Sequence, residues 1–310
     1  SQLSSDWAAQ RISLLNLGDV ALRLAGLRQS ETRTYARRYL YPRHGIGQIF
    51  TRIAEAVGGS GSGEVRLGAE VIALEVGKKG VEAVVYRQDG REVRQPASAV
   101  VCTAPLPFLA RWLGVRGQAA RAAAMLHHRA VRFFNILLDQ PDVGEATWLY
   151  VADPSTPIAR IQEPRRRSPS MAPPGKTSLM LEIPCDHGDE LWSAEDANLA
   201  DRLLADLERL GLPIGRNVKS FFSTRVTHGY PVYHLGYRAD TNAVLAEAAR
   251  HPNLVVAGRQ GLHRYLFMDT AMCMGLEAAR QLMRRETAPT RIVAFDRQNV
   301  LTETAALTAV

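Results

Sequence analysis

The chain has 310 residues, of which 46% are hydrophobic and 22% are charged, and its formal net charge at pH 7 is +7. This length allows two domains, and no apolar run approaches the roughly 18 residues needed to cross a bilayer. Three widely spaced cysteines argue against a disulfide framework and favour a reducing, cytoplasmic location. The densest basic run, at 165–167, lacks the interleaved aromatic residues of a nucleic-acid-binding face, so we expect no nucleic-acid partner.

The first third of the chain alternates helical and extended patterns. Apolar spacing predicts helices over 6–40, and Pro42 stops them. Gly45 and Gly47 precede an amphipathic helix that ends at the glycine-rich segment 58–63. Because that segment follows a helix and precedes a strand, we interpret it as a turn and not as a phosphate-binding loop. Four extended segments follow, at 64–67, 71–76, 80–87 and 93–95. Asp89-Gly90 is the predicted hairpin turn between the last two.

The middle of the chain predicts an antiparallel sheet. An apolar strand at 99–104 ends at Pro105 and is followed by a helix through Leu113. Four strand-length segments separated by proline, glycine and aspartate turns then lie at 131–138, 147–151, 158–162 and 178–183. A helix is predicted over 193–210 with Ser193 as its N-cap, and a further strand over 218–226.

The segment 253–272 has the pattern of a ligand-binding loop. The short strand 253–257 runs into Gly-Arg-Gln-Gly, and a helix starts after Met268 with Asp269 or Thr270 as its N-cap. Unpaired amide groups at a helix N-terminus attract anions, and glycines allow a ligand to approach the backbone. The alternative interpretation is an ordinary loop with a surface arginine and histidine.

Four segments in this order resemble the FAD-dependent amine-oxidase-like flavoproteins, including the protoporphyrinogen-oxidase and UDP-galactopyranose-mutase types. They are YPRHGIGQIFTRIAEAV, GEVRLGAEVIALE, AVVCTAPLP and NLVVAGRQGLHRYLFMD. The resemblance implies FAD as cofactor, with the flavin itself carrying the redox chemistry. The cofactor-binding residues that it implies are Gly45, Gly47, Val71, Thr103, Ala104, Pro105, Gly258, Arg259, Asp269 and Thr270.

The resemblance also implies an α/β (α+β) fold. We expect the C-terminal part of a Rossmann-like FAD-binding domain together with a substrate domain built from an antiparallel sheet and helices. The predicted divisions are a helical segment of the substrate domain at 1–41, FAD domain at 42–113, substrate domain at 114–235, return segment of the FAD domain at 236–286 and tail at 287–310.

Two departures from the family pattern bear on function. The strand–GxGxxG–helix unit that binds the ADP half of FAD does not occur in this sequence. We therefore expect a fragment, a subunit whose partner polypeptide supplies that unit, or a protein that has lost tight FAD binding; alone, the chain should bind FAD weakly or not at all. Phe267 also stands where the mutase has an acidic residue, which weakens an isomerase interpretation.

Candidate substrate contacts lie in the predicted sheet domain and in the final motif. Arg160 and Arg225 lie in strands and suit a small anionic substrate, namely a nucleotide-sugar, glycan-related or carboxylated molecule. Tyr230 and Tyr233 can stack on a ring, and Arg160 and Tyr265 are the candidate catalytic side chains. Alternatives are a surface arginine and packed core tyrosines.

Other functions have less support in the sequence. His127-His128 has no third ligand at useful spacing, so we expect no metal site. The sequence contains no G-x-S-x-G elbow, so it gives no support for a serine hydrolase. The alternatives to a flavin-dependent oxidoreductase are a UDP-galactopyranose-mutase-like isomerase and a non-catalytic binding or scaffold protein that has lost FAD.

Overall fold

The computed structural model describes residues 3, 4, 6, 40–212 and 214–284. The predicted helices at 6–40 and the tail beyond Thr287 lie almost entirely outside these residues. The chain divides into two compact units, 1–38 with 67–127 and 231–310, and 39–66 with 128–230. The second unit includes 39–66, whereas the sequence-based division groups 42–113 together; the assignment of domains to cofactor and substrate stays a prediction.

The helices and strands confirm the predicted α+β class. In chain order they are α1 (Gly47–Gly59), β1 (Glu70–Gly77), β2 (Gly80–Gln88), β3 (Arg91–Pro96), β4 (Val100–Cys102), α2 (Leu106–Trp112), α3 (Gly117–Met125), β5 (His128–Leu138), β6 (Trp148–Tyr150), β7 (Arg160–Gln162), β8 (Thr177–Cys185), α4 (Glu190–Ser193), α5 (Asp196–Arg209), β9 (Val218–Pro231), α6 (Tyr237–Ala248), β10 (Leu254–Val256), α7 (Gly258–Gly261) and α8 (Met268–Arg284).

The first unit contains a three-stranded meander and a short parallel pair. Strands β1, β2 and β3 are antiparallel, and β4 pairs with β10 in parallel. Asp89 and Gly90 both have positive φ, 50° and 75°, as the predicted tight hairpin turn requires. The strand predicted at 64–67 is wrong, since β1 begins only at Glu70; Leu67 is 82% exposed, so its burial does not hold the segment in a sheet.

Helices cover the parallel pair and supply the core of the first unit. Leu106 and Leu109 of α2, Val244 of α6 and Met274 of α8 are completely buried, and Val255 of β10 is 5% exposed. A strand pair of three residues each makes few ladder hydrogen bonds, so this side-chain core holds it in place.

The second unit is a five-stranded sheet with strand order β6-β7-β8-β5-β9. Alternate residues on β5 and β8 face α5, which places Phe134, Ile136 and Leu181 against Leu203 and Leu207 in one buried cluster. The predicted strands 131–138, 147–151, 158–162 and 178–183 are confirmed, and β9 continues five residues beyond the predicted end at 226.

The predicted N-cap of the long helix is wrong. Ser193 is the last residue of α4, a separate turn capped by Asp189, whose side chain accepts a hydrogen bond from the Trp192 amide. The helix α5 begins at Asp196, after Glu195. The Asp196 carboxylate is directed at the sheet and bonds to buried groups there, so it does not cap the helix.

The described residues contain neither a helix that could span a membrane nor a group of side chains that could hold a metal ion. No helix within these ranges combines the length and apolar character that a bilayer span requires. No group of three histidine, cysteine, aspartate or glutamate side chains in the same ranges is arranged to hold a metal ion.

Candidate functional site

The carboxyl ends of β4 and β10 form one edge, at which the predicted cofactor residues of two segments meet. The pairing register sets Val256 opposite Cys102, and the Ala257 amide donates to the Cys102 carbonyl at 3.0 Å. Thr103, Ala104 and Pro105 therefore leave the sheet beside Gly258. Ligands of open α/β sheets bind outside the carboxyl ends of parallel strands, so this edge is the first candidate site.

Two glycines at this edge permit a close backbone approach. Gly258 has φ +80°, and a Cβ there would lie 3.6 Å from Thr103 Cβ, which is ordinary contact. A Cβ on Gly261 would lie 3.1 Å from the Cys102 carbonyl oxygen and 3.2 Å from Val256 Cγ1. Gly258 is thus required by backbone conformation and Gly261 by space. The predicted open glycine loop is wrong in one respect, because these residues form the helical turn α7.

Arg259 braces the segment between α7 and α8. Its Nε and Nη2 donate to the Leu266 carbonyl at 3.2 and 2.6 Å, and its guanidinium carbon lies 4.6 Å from the centre of the Tyr265 ring. Tyr265 in turn makes an edge contact with Phe267, with ring centres 5.5 Å apart. The cation predicted near a pyrophosphate therefore also fixes the chain that leads to α8.

The start of α8 lies one residue before the predicted caps. The first helical bond runs from the Ala271 amide to the Phe267 carbonyl at 3.0 Å, so Phe267 holds the N-cap position. Asp269 is in the first turn, where its carboxylate accepts from the Thr270 amide at 2.7 Å and lies favourably in the helix dipole. The N-cap prediction for Asp269 or Thr270 is therefore wrong.

The remaining predicted cofactor residues lie in other segments. Val71 is in β1 opposite Tyr86, next to a register shift. Gly45 belongs to the second unit and has φ +96°; a Cβ there would be 3.1 Å from Met171 Cε. Gly47 is the first residue of α1 and has no neighbouring atom within 4 Å of a Cβ position.

A second cluster joins two of the predicted substrate residues in the sheet unit. Arg160 and Glu182 are direct cross-strand partners on β7 and β8, and the Arg160 guanidinium forms an ion pair with the Glu182 carboxylate. The Tyr230 hydroxyl donates to the other carboxylate oxygen at 2.7 Å. The Glu182 side chain is 7% exposed and that of Arg160 28% exposed. Burial lowers the pKa of Arg160, but the Glu182 carboxylate outweighs it and the net shift is upward.

Sequence reasoning missed Glu182, although a signal was present. It is the single charged residue in the strand TSLMLEIPC, whose other residues are mostly apolar. A buried carboxylate in such a strand needs a partner. The cross-strand position of Arg160 supplies it.

The other predicted substrate residues do not join this cluster. Arg225 donates to the Trp192 carbonyl at 2.8 Å and the Ala194 carbonyl at 3.3 Å. Tyr233 lies in the first unit, is 1% exposed, stacks on Tyr237 with ring centres 4.3 Å apart, and accepts a hydrogen bond from the Tyr265 amide at 2.7 Å. No face of Tyr233 is exposed to a ligand.

Two further arginines that suggested an anionic cavity are also paired. Arg129 forms an ion pair with Asp186, and Arg132, which is fully buried, bonds to Asp196 and Ser223. Burial raises the pKa of Asp196, but hydrogen bonds from Ser223 and Arg132 outweigh it and the net shift is downward. Most of the arginine charge in this unit therefore serves the fold.

Comparisons with known proteins bear on the family and the fold of this chain. A family model described as flavin containing amine oxidoreductase matches residues 3–283. Phytoene dehydrogenase from Streptomyces griseus is 30% identical over an alignment 195 residues long, which covers 56% of this chain and 37% of that protein. Reduced UDP-galactopyranose mutase superposes with TM-score 0.74 at 19% identity, over 96% of this chain and 64% of the mutase. A putrescine oxidase superposes with TM-score 0.57 at 17% identity, over 79% of this chain and 54% of the oxidase.

The similarities to solved structures, all under one fifth identity, establish the fold and carry no activity with them. The chain also spans less than two thirds of each of these three proteins.

Proposed function

We propose a flavin-dependent redox function for this chain, which belongs to the flavin-containing amine oxidoreductase family. The observation that carries the proposal is the edge formed by β4 and β10. There Gly258, with φ +80°, starts α7 directly beside the end of β4, and Gly261 lets α7 pack closely on that strand. Dinucleotide cofactors bind at such strand ends, where a glycine turn leads from a strand into a helix.

The residues of this edge fit FAD, and they have separate tasks. Thr103, Ala104, Pro105 and Gly258 provide backbone at the strand ends, and Val71 would face the adenine end. Asp269 and Thr270 lie in the first turn of α8, whose N-terminus carries partial positive charge. When bound, the flavin accepts a hydride or electrons from substrate. Gly45 and Gly47 belong to the second unit and stay predictions from the sequence.

We further propose that this chain alone binds FAD weakly. The GxGxxG unit that fixes the pyrophosphate and ribose is not among its 310 residues. A polypeptide segment carrying that unit, in the same protein or a second one, would complete the site.

For the substrate, we propose that Arg160, Glu182 and Tyr230 bind its polar group. The Arg160 side chain is 28% exposed, and its buried Nε has no hydrogen-bond partner among the described residues. A bound carboxylate or phosphate would satisfy such a donor. We assign an anionic substrate, such as a nucleotide-sugar, glycan-related or carboxylated molecule, to Arg160 because of this donor, whereas the Arg225 Nε donates to the Trp192 carbonyl. Tyr265 remains the second candidate catalytic side chain.

The cofactor proposal is tested with a matched pair of glycine variants in the complete protein. Gly258→Val and Gly90→Val both place a side chain at positive φ, 80° and 75°, so they carry similar backbone strain. We expect Gly258→Val to lose flavin absorbance and Gly90→Val, in the β2–β3 turn, to retain it. A folded wild-type protein that never retains FAD would overturn the proposal and favour a non-catalytic protein.

The substrate proposal is tested in the flavin-loaded protein with Arg160→Ala and Arg129→Ala. Both arginines lie in the same sheet, but the Arg129 pair is largely exposed. We expect Arg160→Ala to raise KM at unchanged flavin content, while Arg129→Ala leaves KM unchanged. Equal KM values for Arg160→Ala and the wild type would show that the substrate binds elsewhere.

A further inference from the structure

The first unit contains a cleft at the end of the β4–β10 strand pair that is opposite to the proposed cofactor edge. Its volume is about 560 Å³, and three connections line it: the β1–β2 turn at 77–80, the α2–α3 connection at 113–116 and the end of the α6–β10 connection at 250–252. Pro252 precedes β10, whereas Gly258 follows it. The cleft is therefore at the amino ends of the strands and separate from the proposed cofactor edge.

The cleft is strongly basic. Lys78, Lys79, Arg116 and Arg250 line it, and Glu247 is the one carboxylate among its described lining residues. Glu247 pairs with Arg250 at 3.0 Å. Lys78, Lys79 and Arg116 form no ion pair within the part of the chain that the structure describes. Three exposed cations therefore line one concavity, and their combined charge would attract an anion.

The turns that carry these cations are held rigidly. Asn253 accepts a hydrogen bond from the Val81 amide at 2.8 Å, and its side-chain nitrogen donates to the carbonyls of Val81 and Ser98 at 2.7 and 3.0 Å. Gly80 has φ +123°, and a Cβ there would lie 2.2 Å from the Asn253 side-chain oxygen. This contact fixes the root of the turn that bears Lys78 and Lys79.

The opposite wall is fixed by the end of α2. Gly114 has φ +65°, and the Val115 amide donates to the Ala110 carbonyl at 3.0 Å, which closes the helix end. Arg116 follows and holds the N-cap position of α3. The positive end of that helix dipole therefore lies next to the Arg116 side of the cleft.

We propose that this cleft binds a small phosphate-bearing molecule, a phosphomonoester or a diphosphate. Its volume is in the range of small-molecule sites, and lysine and arginine are common phosphate-binding residues. The described lining contains no Phe, Tyr or Trp, and its aromatic surface is limited to the His251 ring, so the charges and not base stacking would supply the affinity. It also presents no large exposed apolar side chain that would enter a membrane. This site is independent of the proposed flavin function.

The test uses inorganic pyrophosphate as probe and titration calorimetry on the complete protein. We expect saturable binding that weakens with salt, and a loss of affinity of about ten-fold or more in the double variant Lys78→Ala/Lys79→Ala and in Arg116→Ala. The matched control Arg91→Ala/Arg121→Ala removes the same charge as the lysine pair from exposed positions outside the cleft. It should bind pyrophosphate like the wild type.

Three results would overturn the proposal. The wild-type protein could fail to bind pyrophosphate, or the control variant could lose as much affinity as the lysine pair, which indicates diffuse charge attraction. Alternatively, the protein could bind phosphatidylserine vesicles through Lys78 and Lys79 without binding pyrophosphate, which would identify a membrane contact. Circular dichroism of each variant confirms that the loss does not come from unfolding.

Discussion

Replacing Arg160 with methionine should destabilise the sheet unit more than replacing Glu182 with leucine. In Arg160→Met the Glu182 carboxylate, 7% exposed, keeps the Tyr230 hydroxyl as its one side-chain partner among the described residues. In Glu182→Leu the Arg160 guanidinium loses its counter-charge but is 28% exposed and can turn toward water. The loss in the free energy of unfolding therefore depends on which partner of the ion pair is removed.

The magnitudes follow from burial. Removing one partner of a fully buried pair costs about 3–5 kcal/mol, and exposed pairs are worth about 0–1 kcal/mol. We expect a loss of about 3 kcal/mol for Arg160→Met, because the remaining Glu182 carboxylate is nearly buried. Glu182→Leu should cost about 1–2 kcal/mol, since water stabilises the remaining cation. The double variant, which leaves no unpaired charge, should cost less than the sum by about 1–2 kcal/mol.

The assay is a double-mutant cycle by urea denaturation of the four species, followed by far-ultraviolet circular dichroism. Arg129→Met is the control, because its pair with Asp186 is 40% and 68% exposed and its loss should cost less than about 1 kcal/mol. A larger loss in Glu182→Leu than in Arg160→Met would refute the reasoning from burial. Strict additivity of the two single variants would show that the ion pair contributes nothing.

Three further predictions concern other parts of the molecule. Gly45→Ala should cost about 1–2 kcal/mol because of its φ of +96°, whereas Gly47→Ala, with no neighbour within 4 Å, should leave stability unchanged in the same denaturation assay. Burial lowers the pKa of His263 to about 4. The unfolded imidazole binds a proton first as the pH falls, so about 2 kcal/mol of stability should be lost between pH 8 and pH 5, and His263→Asn should remove that loss. The chain alone should bind FAD more weakly than micromolar in a fluorescence titration; tighter binding would mean that the return segment suffices.

The sequence predicts most of the local structure because local rules govern it. Alternating apolar residues give the strands of the second unit, and Asp89-Gly90 gives the β2–β3 hairpin turn of the first unit without reference to the rest of the fold. The helix starts are less predictable, because they depend on where a side chain bonds. Asp196 looks like a first-turn acid after Ser193, but a buried arginine on β5 takes its carboxylate.

The candidate site was predicted in part for the same reason. The glycines at 258 and 261 can be recognised in the sequence. Gly258 is required by its positive φ, and Gly261 is required because a side chain would meet Cys102 and Val256. The Arg160 cluster was only half recognisable, since pairing between β7 and β8 sets Arg160 opposite Glu182 and the two are 22 positions apart in the chain. The sequence around Tyr233 predicts that its ring stacks on the substrate, but the ring stacks on Tyr237 in the core instead.

The shortness of β4 and β10 has a consequence for both proposed sites. Three paired residues each cannot hold the strands rigidly, so the buried contacts of α2, α6 and α8 must do so. At the amino end Asn253 fixes the turn at Gly80, and at the carboxyl end Gly261 allows α7 to lie against Cys102. The geometry of each end is thus set by packing within the unit, before any ligand binds. A ligand at either end would meet a preorganised surface and would lose less entropy than one that must order its own loops.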